Sequence, residues 1–255
     1  MRRLRHLTGS HRTDTTNRLL GYLMAFNAGA INAGGFLVLH LYTSHMTGFM
    51  SMMADSLVLG NTTLVLSALG ALVSFLSGAA VSAILVNWAR LYQLRSTYAL
   101  PLLLVAMLML VFGLLGAVST QWKTWFAVPA TVLLLSFMMG VQNATLTKMS
   151  HASIRTTHMT GVVTDLGMEL GKMVFWNRAA REGAHPVHAN WSRMRLYAGL
   201  LAMFFIGGLL GAWGFQHWGF VCVVPLALVL MAVSLPPLWA DGHHWRHRKP
   251  WQPSP

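Results

Sequence analysis

Residues 29–33, Gly-Ala-Ile-Asn-Ala, and 44–48, Ser-His-Met-Thr-Gly, return in the same order as 140–144, Gly-Val-Gln-Asn-Ala, and 157–161, Thr-His-Met-Thr-Gly. The offsets are 111 and 113, so one two-residue insertion aligns both pairs. A four-residue identity preceded by a second match marks an internal duplication, a feature to be read before any single motif. In each copy the Asn element lies in a long apolar run and the His-Met-Thr-Gly element follows it.

Those runs decide the environment. Between Leu19 and Ala89 the only charge is Asp55, and none occurs over 96–122, 124–147 or 196–240. A helix rises 1.5 Å per residue, so about 20 apolar residues cross the roughly 30 Å hydrocarbon core of a bilayer. Six spans are predicted, Leu19–Tyr42, Thr63–Trp88, Ala99–Ser119, Trp125–Thr147, Leu196–Gly214 and Phe220–Ala240. Trp88, Trp122, Trp125, Trp213, Trp218 and Trp239 fall near their ends, where an interfacial aromatic belt is expected. Of 255 residues only 9% are charged, 55% are hydrophobic and the mean hydropathy is +0.54. A soluble domain carries roughly a quarter charged residues, so disorder and a water-soluble fold are both excluded. The first apolar run is too long for a signal-peptide core and reads as an uncleaved span. The single Cys222 lies in an apolar run and is expected to pack.

The net charge of +12 does not indicate nucleic acid, because the basic residues sit in clusters between apolar runs. With six spans, 17 of the 18 lie on one side and only Lys123 opposite; the positive-inside bias makes that side, and both termini, cytoplasmic. The organisation that follows is a basic tail over 1–18, a first three-span repeat over 19–122, a second over 123–240 carrying a basic loop 148–195, and a tail over 241–255. Three crossings is an odd number, so the second half is inverted relative to the first. The expected fold is an all-α integral membrane protein of six transmembrane helices, in two inverted-topology three-helix repeats, each with a short His-Met-Thr-Gly helix after its first span. Inverted repeats are common in secondary transporters, with the site near the midplane where equivalent segments meet.

The residues expected to bind a small-molecule solute are therefore Asn32, His45, Thr47 and Gly48 with Asn143, His158, Thr160 and Gly161. Ser44, Thr157 or the motif Thr can cap a helix and leave backbone N–H groups free for a polar ligand; the Gly permits close approach, and the His can donate, accept or titrate. The competing reading makes each motif a capped joint, and each Asn an interhelical hydrogen-bonding group aided by Gly29, Ala33, Gly140 and Ala144. Ser44, Gly48, Ser51 and Asp55 form one stripe of a helix; Thr157, Gly161 and Thr164 form the matching one, followed by Asp165, Glu169 and Lys172. Asp55, Arg155, Asp165 and Glu169 are the candidates for proton or ion coupling, since ionisable groups at membrane depth are functional by default. A solvated, salt-bridged helix accounts equally well for those in the basic loop. The histidines at 185, 188, 243, 244 and 247 lack an acid or Cys to complete a metal site, and no nucleotide or hydrolase motif is present. No metal, cofactor or enzymatic activity is expected, although His158, Asp165 and Glu169 share a helical face. Gly207 and Gly211 form a small-xxx-small pair for close packing within the chain or in a homo-oligomer.

The paired motifs, above all 140–144 with Arg155-Thr156-Thr157-His158-Met159-Thr160-Gly161, resemble those of the YoaK-like family of bacterial inner-membrane proteins of unknown function. The resemblance runs from about Arg18 to Ala240. It implies a multi-span protein of the bacterial inner membrane and no assigned activity. The first copy departs from the family pattern, with Phe49 where a small polar residue is usual and Asn27 or Ala30 where an acid is often found. The expected function is a passive or secondary small-solute permease; a non-transporting scaffold is the alternative.

Overall fold

The computed structural model describes residues 14–39, 41–94, 96–121, 127–149, 159–175 and 187–245. Over these the chain is helical: α1 is Asp14–Leu39, α2 Met46–Val58, α3 Thr62–Leu91, α4 Ala99–Gln121, α5 Ala127–Met149, α6 Met159–Val174, α7 Trp191–Trp218 and α8 Val223–Trp245. Among the described residues four runs are long and apolar enough to cross a membrane, Thr62–Leu91, Ala99–Ala117, Ala130–Met149 and Trp191–Asp241. The last comprises α7 and α8, divided by a 3-10 turn over Gly219–Cys222 that opens with Gly219 at φ 57°.

Asparagine fixes two helix starts. Asn61 accepts from Leu64 N–H at the head of α3, and Asn190 accepts from Ser192 and Arg193 N–H at the head of α7. These bonds satisfy donors that have no partner inside the helix. The cap explains why α7 begins at Trp191, five residues before the predicted Leu196: Arg193 and Arg195 are sound helix formers outside the apolar run.

The main packing joins helices far apart in sequence. α1 lies along α7, with Arg18 Nη2 donating to Ser192 Oγ at 2.6 Å and the Tyr22 hydroxyl to the Arg195 carbonyl at 3.3 Å. Farther along, Phe26, Ala30 and Gly34 meet Gly207, Gly211 and Phe215. Residue numbers rise together, so the two helices are parallel. α3 runs parallel to α5 in the same manner, through Gly78 with Phe137, Ser82 with Thr145 at 2.9 Å and Asn87 with Lys148 at 3.1 Å.

Both pairs use one device. Phe26-x-x-Gly29 faces Phe204-x-x-Gly207, and Phe75-x-x-Gly78 faces Phe137-x-x-Gly140; a Cβ added at any of these four glycines would overlap the carbonyl of the facing phenylalanine. Backbones this close gain dispersion contacts, which drive helix association where lipid tails remove the hydrophobic incentive. Gly207 and Gly211 thus do their close packing within the chain. Large apolar residues point outward instead, among them Leu66, Leu76, Ile84, Leu114 and Phe205.

α4 completes the bundle. It is antiparallel to α8, with Ser96 bound to Asp241 at one end and Gly113 and Gly116 against Phe220 at the other. It also packs on α5, where the Tyr98 hydroxyl donates to the Lys148 carbonyl at 3.3 Å. α1 and α5 cross antiparallel, since Gln142 bonds Met24 whereas Leu135 lies near Gly35. The start of α1, the end of α5 and the start of α4 therefore share one end of the bundle, with Arg18, Arg90, Lys148 and Arg193. α2 packs on α3 and α6 on α7.

Candidate functional site

At the crossing of α1, α4 and α5 the structure buries two amides. Asn27 is 2% exposed and Gln142 fully buried. Gln142 Nε2 donates to the Met24 carbonyl at 2.9 Å. Asn27 Nδ2 donates to Gln142 Oε1 at 3.4 Å and lies 3.8 Å from Met109 Sδ. Asn27 Oδ1 has no partner. Next to Gln142, Asn143 is also buried, facing another direction because adjacent helical residues diverge by about 100°.

Asn32 is half-buried and accepts from Ser44 Oγ at 2.9 Å. That bond corrects one expectation, because Ser44 does not cap α2. His45 holds the N-cap position and makes no side-chain capping bond, while Thr47 is exposed. The His45 ring lies against Gly48, so close that a Cβ there would stand 2.6 Å from Nδ1. His45 and Gly48 border a cavity of about 300 Å³ lined by Phe36, Leu41, Tyr42, Phe49 and Met52. The Phe36 and Tyr42 rings stack there at 4.5 Å. Thr43, next to Tyr42 in the chain, is fully buried; its carbonyl accepts from Ser136 Oγ of α5 at 3.5 Å and its own Oγ1 has no partner.

In the second copy, Arg155 and His158 lie outside the described residues. Thr160 and Gly161 are exposed in the first turn of α6. The Thr160 carbonyl accepts from Thr164 Oγ1, and an added Cβ at Gly161 would meet nothing within 4 Å. Asp165 faces the Tyr197 hydroxyl of α7. Glu169 is buried and accepts from the Asn190 N–H at 2.7 Å and from Lys172 Nζ at 2.9 Å. The Asn190 N–H, then the Lys172 ammonium, hold its carboxyl below the usual glutamate range. This carboxylate ties α6 to the capping turn of α7. Asp55 is exposed and makes no ion pair among the described residues.

The structure therefore joins Asn32 to Ser44 and His45 to Gly48. It places α2 where α1 ends and α5 begins, and α6 at the opposite end, beside the first turns of α7. Sequence reasoning passed over Thr43 and Ser136, and noted Asn27 and Gln142 only in passing. The legible signal was the Phe-x-x-Gly spacing, present in α1, α3, α5 and α7.

Residues 20–235 match the family described as protein of unknown function DUF1275. Over 163 residues, 64% of this chain and 70% of the relative, the sequence is 26% identical to the UPF0700 transmembrane protein YoaK of Bacillus subtilis (strain 168). No solved structure matches.

Proposed function

Because the chain is a membrane protein belonging to the DUF1275 family, whose function is unknown, we propose its role from its own geometry: a passive or secondary permease for a small solute, built as two inverted three-crossing halves. The observation that carries this reading is the exchange of partners. α1 of the first half pairs with α7 of the second, and α5 of the second with α3 of the first, through the same Phe-x-x-Gly contact. A shift of 111 residues converts Phe26 and Gly29 into Phe137 and Gly140, and one of 129 converts Phe75 and Gly78 into Phe204 and Gly207. A two-fold axis in the membrane plane produces such a relation, and inverted-repeat transporters bind solute where that axis passes between the halves.

In this reading α1, α3, α4, α5, α7 and α8 cross the inner membrane, with both termini and the basic end cytoplasmic. α2 brings His45, Thr47 and Gly48 to the outer mouth. α6 brings Thr160 and Gly161 to the inner one, the side to which the repeated motif also assigns His158, with Asn32 and Asn143 between them. The coupling candidates are Asp55 outside and Arg155, Asp165 and Glu169 inside.

Purified protein in liposomes, screened with small polar solutes, tests the reading. Vesicles no more permeable than protein-free ones to every solute would overturn it. His45→Ala and His158→Ala that match the parent for each transported solute would remove the motifs from the path. The scaffold reading draws on the contact of His45 with Gly48 and on the Glu169 tie, both joint-like; it expects motif substitutions to lower folding yield and leave flux untouched.

A further inference from the structure

We infer that the seam between α1 and α5 is the solute path, and that it selects uncharged solutes bearing hydrogen-bond donors, with Asn27 Oδ1 as the central acceptor. This deepens the permease reading and rests on it.

The orientation of the amides follows from one fixed group. The Met24 carbonyl can only accept, so the Gln142 group facing it at 2.9 Å is the donor Nε2. Gln142 Oε1 then faces Asn27, which must present Nδ2 to it. Asn27 Oδ1 is left over, and turning either amide would set like against like. A buried acceptor without a donor is an exception in native proteins and calls for an explanation.

The second such atom lies along the same seam. Among the described residues Asn27 Oδ1 and Thr43 Oγ1 are the buried side-chain polar atoms with no partner. Thr43 is held to α5 by the bond from Ser136, and its Oγ1 lies near Gly35 of α1. It follows Tyr42, which lines the His45 cavity, at the end where α1 finishes, whereas Asn27 stands deep in the bundle. A solute leaving the cavity would meet Thr43 first and Asn27 second. Both are on the boundary between the duplicated halves.

Charge decides the solute class. The contacts of Asn27 and Gln142 are amide, carbonyl and thioether, with no carboxylate or ammonium. The buried acids among the described residues are Glu169, tied to Lys172 and Asn190, and Asp241, tied to Ser96. An ion at Asn27 would lack a counter-charge, and a bare buried charge is heavily penalised. A neutral N–H or O–H donor carries no such penalty and supplies what Oδ1 lacks.

The test uses full-length protein in liposomes, with urea and glycerol as neutral probes and methylammonium and formate as charged ones, read by light scattering and internal pH. Urea or glycerol should cross the parent vesicles faster than protein-free ones, and the charged probes should not. The double variant Asn27→Leu/Gln142→Leu removes both amides together, so no new orphan is left. It should melt no lower than the parent yet lose neutral flux by tenfold or more, and Thr43→Val should lose several-fold. A purely structural amide pair gives the opposite result, a lower melting temperature with unchanged flux per folded molecule, and overturns the inference. So does a parent that passes methylammonium but neither neutral probe. A parent that passes none of these probes also overturns the inference, and the wider solute screen then decides the permease reading separately.

Discussion

Phe49 and Val162 occupy the same position in the two motif helices, one residue after Gly48 and Gly161, and both are buried. Their company differs. Phe49 belongs to the main core with Ala68, Ala71 and Met138, whereas Val162 sits in a small separate cluster with Ala25 and Leu200. The first copy is held by apolar packing. The second is held by that small cluster and by Glu169, whose carboxylate reaches Asn190 and Lys172. Both copies bury an apolar residue just after the motif glycine, but they attach to the bundle differently.

Substitution should break the two attachments unequally. Phe49→Ala should destabilise the protein by about 3–5 kcal/mol, the usual range for emptying a buried aromatic site. Val162→Ala removes two methylenes and should cost about 1.5 kcal/mol. Thermal melts of both variants in the same detergent check the ratio; equal losses would mean that α6 is embedded as deeply as α2.

Acid should release α6 and spare α2. The lowered pKa of Glu169 means that its ionised form is favoured in the folded state. Its contribution is therefore fully present above the ordinary glutamate value of 4.5 and is lost as the pH falls through the lower folded value. Labelling of a cysteine placed at Val162 should rise in acid, and Glu169→Gln should raise it already at neutral pH. A cysteine placed at Ser56, buried on α2, should stay protected across the same range.

The smallest contrast is at the motif glycines. Gly161→Ala adds a methyl to open space in a helix and should stabilise by up to about 1 kcal/mol through helix propensity. Gly48→Ala gains the same propensity but pushes against the His45 ring, so its net effect should be smaller or of opposite sign. Paired melts of the two variants read the difference, and a gain at Gly48 as large as at Gly161 would show that the ring moves freely.

The apolar runs made the long helices legible, because unbroken hydrophobicity over some 20 residues has few other meanings. Their starts were less so. α7 opens at Trp191, and α1 already includes Asp14, since polar residues continue a helix beyond its apolar part and, for α7, a capping asparagine sets the beginning. The choice between Gln142 and Asn143 was not legible at all: both are amides in an apolar run, and only the position of α1 decides that Gln142 meets Asn27. The same holds for Phe-x-x-Gly, whose spacing is plain in the sequence but whose partner is not. For Glu169, the capping turn at Asn190 is 21 residues away, and a basic loop gives no hint of the contact.

The pairing of α1 with α7 also sets a clock. Phe26 is synthesised 178 residues before the Phe204 it faces, whereas Phe75 precedes Phe137 by 62. At roughly 5–20 residues per second, α1 waits on the order of 10–35 s for its partner and α3 about a third as long. Throughout that interval the glycine face of α1 lies open in the membrane, and only the seam of α4 with α8, whose second helix is synthesised later still, closes after it.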